Sequence, residues 1–415
     1  MSNSELRLRV VAAIDQVPAQ SWDACANPAM AAVKPASQVL ENCPKEPKIS
    51  VEEQVYNPFI SHAFLYALEA SGSATARAGW QPQHLLAERP DGTLLGAVPC
   101  YLKSHSQGEY VFDRGWAEAY ERAGGDYYPK LQVSVPFTPA TGRRLLLRPG
   151  PDAEMVQSSL TAGLIELCKR HEASSVHVTF MPEPQCALLA SHGFLRRTDQ
   201  QFHWENEGYA TFDDFLAALS ARKRKTVKRE RRDALDNGIS VHWLTGADLT
   251  EEAWDAFFEF YMETGSRKWG RPYLTRNFYS LVGQTMADRI VLIMAKRNGR
   301  FIAGAINFIG SDALYGRHWG AVEQHPFLHF EICYYQAIEF AISRKLARVE
   351  AGAQGEHKLA RGYLPVTTHS AHFIANPSLR RAIADYLERE RAYVEAAGEE
   401  LAALAPFRKD LIEQE

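Results

Sequence analysis

The sequence predicts an α/β protein built of two units, each a mixed sheet flanked by helices. Three observations lead there. Apolar runs of strand length alternate with longer runs of helical period along nearly the whole chain of 415 residues. Turn residues, above all Asp91-Gly92 and Asn298-Gly299, separate paired apolar runs as hairpin turns do. The stretches "HLLAERPDGTLLGAVPCYLKS" (84–104) and "VLIMAKRNGRFIAGAINFIGS" (291–311) share one layout: an apolar strand, a charged pair, a turn glycine and a strand containing Gly-Ala. A repeat of that kind about 200 residues apart is the mark of a duplicated unit.

The elements follow in order. "LRLRVVAAI" is a first strand and a helix around Trp22 comes next. Residues 28–55, rich in Ala, Pro and Lys and weakly periodic, read as an insertion. "SHAFLYALEASG" is a helix stopped by glycine, and 83–104 is a hairpin. "SSLTAGLIELCKRHEASSVHVTF" is a helix running into a strand, and 186–206 repeats that step. The second half restarts at 212 with one long helix to 238, then the strand "ISVHWLTG" and the helix 251–268. Residues 289–322 supply three strands, "HFEICYYQAIEFAISRKL" a helix and "ARVEAGA" a further strand.

Composition narrows the function. Hydrophobic residues make up 46% and charged residues 23%, with a formal net charge of −4, so neither bulk disorder nor an overall basic nucleic-acid binder fits. The cysteines at 25, 43, 100, 168, 186 and 333 are scattered singly, which gives neither a zinc framework nor a disulfide scaffold and suits a reducing compartment. HExxH and GxSxG are absent. The N-terminus reads as a first strand and a helix rather than a signal peptide, and no apolar run reaches the roughly 18 residues of a membrane span. A cytoplasmic protein is expected, with a peripheral position at the inner membrane left open.

Three polar clusters are candidates for a site. "RVEAGAQGEHKLARGYLPVTTHSAHF" (348–373) follows a strand and gathers Glu350, Gln354, Glu356, His357, Lys358 and Arg361 among glycines that allow a tight bend. Glu356 and His357 suit removal of a proton from an attacking amine, and Lys358 and Arg361 suit an anion. "GEYVFDRGWAEAYERAGGDYYPKL" (108–131) carries Asp113, Trp116, Tyr120, Tyr128 and Lys130, an aromatic set able to line a channel for a long chain or to form an ordinary interface. "PFTPATGRR" then brings Arg143 and Arg144, candidates for a phosphate. In "LYGRHWGAVEQHPFLHFE", strand alternation puts Tyr315, Arg317 and Trp319 on one face, and His329 and Glu331 open the next helix, either able to act as base. Trp269, with Lys268 and Arg271, reads as a loop over the site. The basic run "ARKRKTVKRERR" (221–232) places Arg222, Lys225, Arg229 and Arg232 near one helical face, suited to RNA phosphates, anionic lipid or the acidic surface of a carrier protein.

Several of these motifs together resemble a known family. "LSARKRKTVKRERRDALDNGISV", the motif around 108–144, "SRKWGRPYLT", "LYGRHWGAVEQHPFLHFEICYYQAIEFA" and "EAGAQGEHKLARGYLPVTTHSAHF" are similar to the FemABX-like branch of the GNAT acyltransferase superfamily. Within it they resemble the proteobacterial N-acyltransferases labelled peptidoglycan biosynthesis or recognition proteins, which include bacterial ceramide synthase-like proteins. The resemblance implies tandem GNAT-like domains (the acyl-CoA N-acyltransferase fold) at 1–204 and 205–390, with a helical tail at 391–415. It implies transfer of an acyl group from an activated thioester, acyl-CoA or acyl carrier protein, to a primary amine, long-chain or lipid-linked. The catalytic candidates are then His357, Glu356, His329 and Glu331. Asp113, Trp116, Tyr120, Tyr128, Lys130, Trp269, Tyr315, Arg317, Glu350 and Gln354 would hold substrate, and Arg143, Arg144, Lys358 and Arg361 the donor's phosphates. No permanently bound cofactor, metal or DNA is expected. The glycine-rich loop with which GNAT enzymes cradle coenzyme A is missing after "GRHWGAV", where the chain reads "EQHPFLHFE". That departure keeps a carrier protein or an aminoacyl-tRNA open as donor. Two other functions remain: an aminoacyl-tRNA-dependent ligase acting on a peptidoglycan precursor, and a non-enzymatic peptidoglycan-recognition protein.

Overall fold

The computed structural model describes residues 5–28, 55–269, 272–352 and 355–408. The segment read as an insertion, Gln354 and Arg271 lie outside them, as do the side chains of Lys268, Trp269 and Glu356. The chain forms two compact units, residues 1–199 with 368–392 and residues 200–367 with 393–415. The division therefore falls inside a strand, and the stretch expected to end the second domain returns to the first unit.

In unit 1, β1 (Arg7–Val11), β3 (His84–Glu88) and β4 (Leu94–Val98) pair antiparallel in sequence. Pro99, which has no N–H to donate, ends β4, and β5 (Cys100–Lys103) continues in a second sheet with β2 (Trp80–Pro82). There β5 pairs antiparallel with β6 (Lys130–Val133), β6 parallel with β8 (Ser175–Met181), and β8 antiparallel with the end of β15 (Leu364–Ile374). Two-residue β7 (Leu146–Leu147) adds to β4.

Helix α1 spans Ala19–Ala26, α2 His62–Ala70, α3 Arg114–Arg122, α4 Ala153–Arg170 and α5 Glu183–Ser191. Leu160 and Leu164 of α4 join Leu131, Val133, Val176 and Val178 in the apolar core. Gly96 allows α4 to lie that close, since a Cβ there would stand 2.6 Å from Val156 Cγ1.

Unit 2 repeats the scheme. β10 (Ile239–Leu244), β11 (Ile290–Arg297), β12 (Arg300–Ile309) and β13 (Ala313–Ala321) pair antiparallel in succession. β13 then pairs parallel with β14 (Arg348–Glu350), and β14 antiparallel with the end of β9 (Leu195–Glu205). The hairpins β3–β4 and β11–β12 thus hold the same place in their units, as the repeat in the sequence implied. In each unit the strand antiparallel to the parallel pair comes from a segment that began in the other.

The expected long helix 212–238 is two: α6 (Phe212–Ala218) and α7 (Ala221–Ala234). Leu219 is extended between them, with ψ 150°, and bridges to Phe407, a distant partner that local sequence does not show. Helix α8 (Glu251–Trp269) packs on β13 so closely that a Cβ on Gly320 would stand 2.1 Å from the Phe260 carbonyl oxygen. Helix α9 (Arg276–Met286) follows. The expected helix after β13 begins as α10 (Leu328–Phe330), widens through a π-helical turn at Glu331–Tyr335 and ends as α11 (Gln336–Ser343). A last helix, α12 (Pro377–Ala402), supplies residues to both units.

Candidate functional site

The parallel pair of unit 2 opens almost as soon as it forms. β13 and β14 are in register only from Ala313 to Tyr315 against Arg348 to Glu350, and β13 runs on to Ala321. A bulge intervenes: Asn307 faces Gly316 while Ile306 faces His318, so Arg317 is the extra residue. It reverses the alternation expected for this strand. Tyr315 shares its face with His318, while Trp319 passes to the other face and meets His329, ring centroids 5.2 Å apart. Ligands of α/β sheets bind beyond the carboxyl ends of parallel strands, and such a widening is where one would enter.

Two segments close over this end. Phe327 takes left-handed backbone, φ 60°, rare for an aromatic residue, and turns the chain into the helix. The π-helical turn adds a residue to the repeat, a device frequent at functional sites. It points Tyr334 at the segment after β14. That segment ends in a 3₁₀ helix, Glu356–Arg361, after Gly355 at φ 112°. That φ favours glycine at 355, and a Cβ there would stand 2.4 Å from His357 Cε1, so the ring would have to move. The His357 imidazole is exposed, with Nε2 2.9 Å from the Tyr334 hydroxyl, and its ring lies 6.2 Å from that of His329 and 5.8 Å from Phe330. Burial holds the Tyr334 phenol well above its usual range, so it stays protonated beside the imidazole.

The other polar groups hold this end in place. Glu331 is fully buried and takes three contacts of 2.9–3.2 Å from the Arg231 guanidinium and one of 2.7 Å from Gln336. Buried Glu230 receives Arg361 Nη2 at 3.0 and 2.9 Å and the Tyr335 hydroxyl. Arg361 also lies 3.4 Å above the Phe330 ring and donates to the His357 carbonyl. Lys358 turns inward to the carbonyls of Ala351 and Gly352, at 2.7 and 2.9 Å, and burial brings its amine down to about 8. Lys358 and Arg361, expected at a phosphate, here direct Lys358 Nζ and both Arg361 Nη atoms to groups that fasten the turn presenting His357. Glu331, expected as a base, is likewise an ion-pair partner. Glu350 and Tyr315 are buried in the paired part of the strands, with Glu350 Oε1 accepting from Arg348 at 3.1 Å, and Arg317 is half-buried at the bulge.

The candidates in unit 1 form a separate group. Lys130 is fully buried and donates to Glu109 at 2.7 Å and to Asp113, which also accepts from the Tyr127 hydroxyl at 2.7 Å. Desolvation opposes the Asp113 charge, but Lys130 overrides it and holds the carboxyl well below its usual range. His177 stands 3.8 Å from Asp113, and its Nδ1 lies 2.7 Å from Nδ1 of His372. Burial pushes His177 down to about 3, so it is neutral near pH 7. Trp116 is nearly buried over the two histidines, Tyr128 is half-buried with its hydroxyl 2.8 Å from Ser106, and Tyr120 is half-buried on α3. Arg144, 1% exposed, donates to the carbonyls of Thr179, Gly142, Arg143 and Ala140, and Arg143 donates to that of Ala26. These arginines, expected at a phosphate, bond to carbonyls that lock the 140–145 loop against β8. Sequence reasoning missed Tyr334, Glu109, His177 and His372, and placed Trp319 on the wrong face of its strand. The alternation of Ser and His in "SSVHVTF" and "HSAHF" is the one signal of a polar sheet face.

Among the described residues, no group of three or more His, Cys, Asp or Glu side chains could hold a metal ion, and no helix is long and apolar enough to cross a membrane. Each unit is an α/β layer whose antiparallel strands end in a parallel pair that opens. The chain belongs to the FemAB-like family, described as peptidoglycan biosynthesis/recognition, which it matches over residues 13–409. No curated protein matches it in sequence. Solved structures similar to it include FemX, at 12% identity and a TM-score of 0.49, covering 76% of this chain and 93% of that one. A tandem GNAT protein from the clavulanic acid biosynthesis pathway has 14% identity and a TM-score of 0.42, covering 90% and 99%. L-PGS from Bacillus licheniformis has 10% identity and a TM-score of 0.47, covering 80% and 98%. The family's description covers peptidoglycan biosynthesis and recognition.

Proposed function

We propose that the protein is an N-acyltransferase that moves an acyl group from a thioester, acyl-CoA or acyl carrier protein, to a primary amine. The observation that carries this reading is the convergence of His357, Tyr334 and His329 on the opened end of β13 and β14. The exposed imidazole of His357 takes a proton from the amine, whose nitrogen attacks the thioester carbonyl. The C–N bond forms, the C–S bond breaks, and the thiol leaves with a proton. Tyr334, kept protonated by burial, orients the imidazole through Nε2. Trp319, Phe327 and Phe330 give the same end an aromatic wall, which supports a long acyl or amine chain at about 0.8 kcal/mol per buried methylene.

A second reading, an aminoacyl-tRNA donor, is favoured by helix α7. Arg222, Lys225, Lys228, Arg229 and Arg232 are exposed there on one arc, opposite buried Val227 and Ala234. The same face suits an acidic carrier protein or an anionic membrane surface. One experiment separates the donors. Purified protein is given a primary alkylamine with either a long-chain thioester, as acyl-CoA and as acyl carrier protein, or aminoacyl-tRNA, and amide product and freed thiol are measured. Equal amounts of thiol and amide support the proposal. Product from aminoacyl-tRNA alone replaces it with the second reading, and no product from either overturns both.

A further inference from the structure

One face of the second sheet in unit 1 is polar although it is buried. Across the strands, Gln132 faces His177 and His177 faces His372, with Lys130 and Ser175 alongside, and all five are at most 2% exposed. The opposite face carries Leu131, Val133, Val176 and Val178 under α4 and is apolar, as a covered sheet normally is on both sides. The polar face is roofed by Trp116 of α3 and by residues 104–113, which bring in Glu109 and Asp113.

Buried polar atoms are nearly always paired. Here five are without a hydrogen-bond partner: Glu109 Oε1, Asp113 Oδ1, Gln132 Oε1, Ser134 Oγ and His372 Nε2. Gln132 has its amide N–H on Thr179 Oγ1 at 3.0 Å, which leaves its oxygen as an acceptor. With Glu109 ionised, three of the five are acceptors only, two of them carboxylate oxygens, and Lys103 Nζ stands 3.8 Å from Glu109 Oε1, beyond hydrogen-bond reach. The remaining two accept as readily as they donate.

We propose that this face is a binding site for a small primary amine, held as its ammonium by the open oxygens of Asp113, Glu109 and Gln132. An ammonium brings three donors to a place short of donors. The aromatic rings of Trp116, Tyr127 and Tyr128 offer it π faces, as Tyr127 already does to Lys130 at 5.7 Å. The charges admit one more cation as well. Burial lowers Lys103, 3.8 Å from Glu109, to about 7, so near neutral pH Lys103 can give up its charge when another cation takes its place. The proposal stands apart from acyl transfer, because it requires no donor and no turnover.

Calorimetric titration of the full chain at pH 7.5 with ethanolamine, and with ethylene glycol as the uncharged comparison, tests it. Saturable heat with ethanolamine, none with ethylene glycol, and about 10-fold or greater weakening in Glu109→Gln and in Gln132→Met support the site. Gln132→Met carries no charge change, so it remains informative if Glu109→Gln disturbs the fold, which circular dichroism reports. Equal binding of both compounds shows a face satisfied by any small hydroxyl compound or by water and overturns the proposal. Absence of binding, or binding unchanged in both folded variants, overturns it too.

Discussion

The two units spend the same topology differently. In each, a parallel pair of strands diverges: β6 from β8 after Val133, and β13 from β14 after Tyr315. In unit 1 the gap is filled by the chain itself. Gly142 N–H bonds to the Phe180 carbonyl at 3.0 Å and Arg144 donates from its Nε to the Thr179 carbonyl at 2.9 Å, so a loop stands where a third strand would pair. In unit 2 the same divergence is bordered by His329, Tyr334 and an exposed His357. The difference teaches that a duplicated fold assigns chemistry to one copy by what it leaves unfilled. A guanidinium that satisfies four carbonyls makes a plug; an exposed imidazole beside a tyrosine hydroxyl is the group to which the proposed function gives the chemistry.

The comparison breaks most sharply at His357. His357→Ala should lower the rate of transfer about 10²- to 10⁴-fold in folded protein, with donor affinity little changed. Tyr334→Phe, which keeps the ring and removes the hydroxyl, should cost less. A His357→Ala enzyme at full rate would remove unit 2's claim to the chemistry.

Arg144→Met should do the reverse, destabilising the chain by about 3–5 kcal/mol, because several buried carbonyls lose their donor together. Chemical denaturation reads the loss, and the rate per folded molecule should not move. A drop in donor affinity with stability intact would restore Arg144 as a phosphate contact.

A smaller effect comes from pH. Desolvation raises the Glu109 carboxyl to about 7 in the fold and lowers the Lys103 amine to about 7. Between about 4.5 and 7 the folded chain holds a proton on Glu109 that the unfolded chain has released, so this group's contribution to stability falls as pH rises. Between about 7 and 10.5 the unfolded chain holds the Lys103 proton that the folded chain has lost, and stability rises with pH. The pair therefore predicts a shallow minimum near pH 7, on the order of 1 kcal/mol after allowance for their mutual attraction. Unfolding free energies measured across that range should lose the dip in the double variant Glu109→Gln, Lys103→Met. A dip that persists would place its origin elsewhere.

The least change is expected at the outer face of α7. Reversal of Arg222, Lys225 and Arg229 to Glu should leave stability within about 0.5 kcal/mol, since these side chains are exposed. Turnover with a small soluble donor should also persist, while use of a carrier protein or tRNA should fall and lose much of its salt dependence. Equal loss with every donor would mean the helix acts through the fold instead.

Much of the architecture was legible in the chain. The two hairpins announced themselves through Asp91-Gly92 and Asn298-Gly299: the second is a two-residue turn with both residues at positive φ, and in the first Gly92 takes the positive φ of a longer loop, 89–93. The stretch from Glu350 to Arg361 stood out through its glycines, and Gly355 takes a φ that favours glycine, close against the His357 ring. What the chain did not disclose depends on distant partners. The break at Leu219 needs Phe407, the inward turn of Arg361 needs Glu230, and the pairing of His177 with His372 joins residues 195 apart. Periodicity could not show Tyr334 beside His357, since the π-helical turn departs from the 3.6-residue repeat, nor Trp319 beside His329, since a bulge reverses the strand's alternation.

The sequence by itself determined the class, the duplicated hairpins, most of the helices and strands and the segments rich in reactive groups, because those depend on interactions within a few residues. Tertiary structure alone decided which reactive groups remain reactive. Burial and partner choice are set by what the whole fold brings alongside, and a charged group taken from water must be paired or lose its charge. Arg144, Glu331, Lys358 and Arg361 were paired inward, Lys130 was sealed among carboxylates, and His357 was left at the surface.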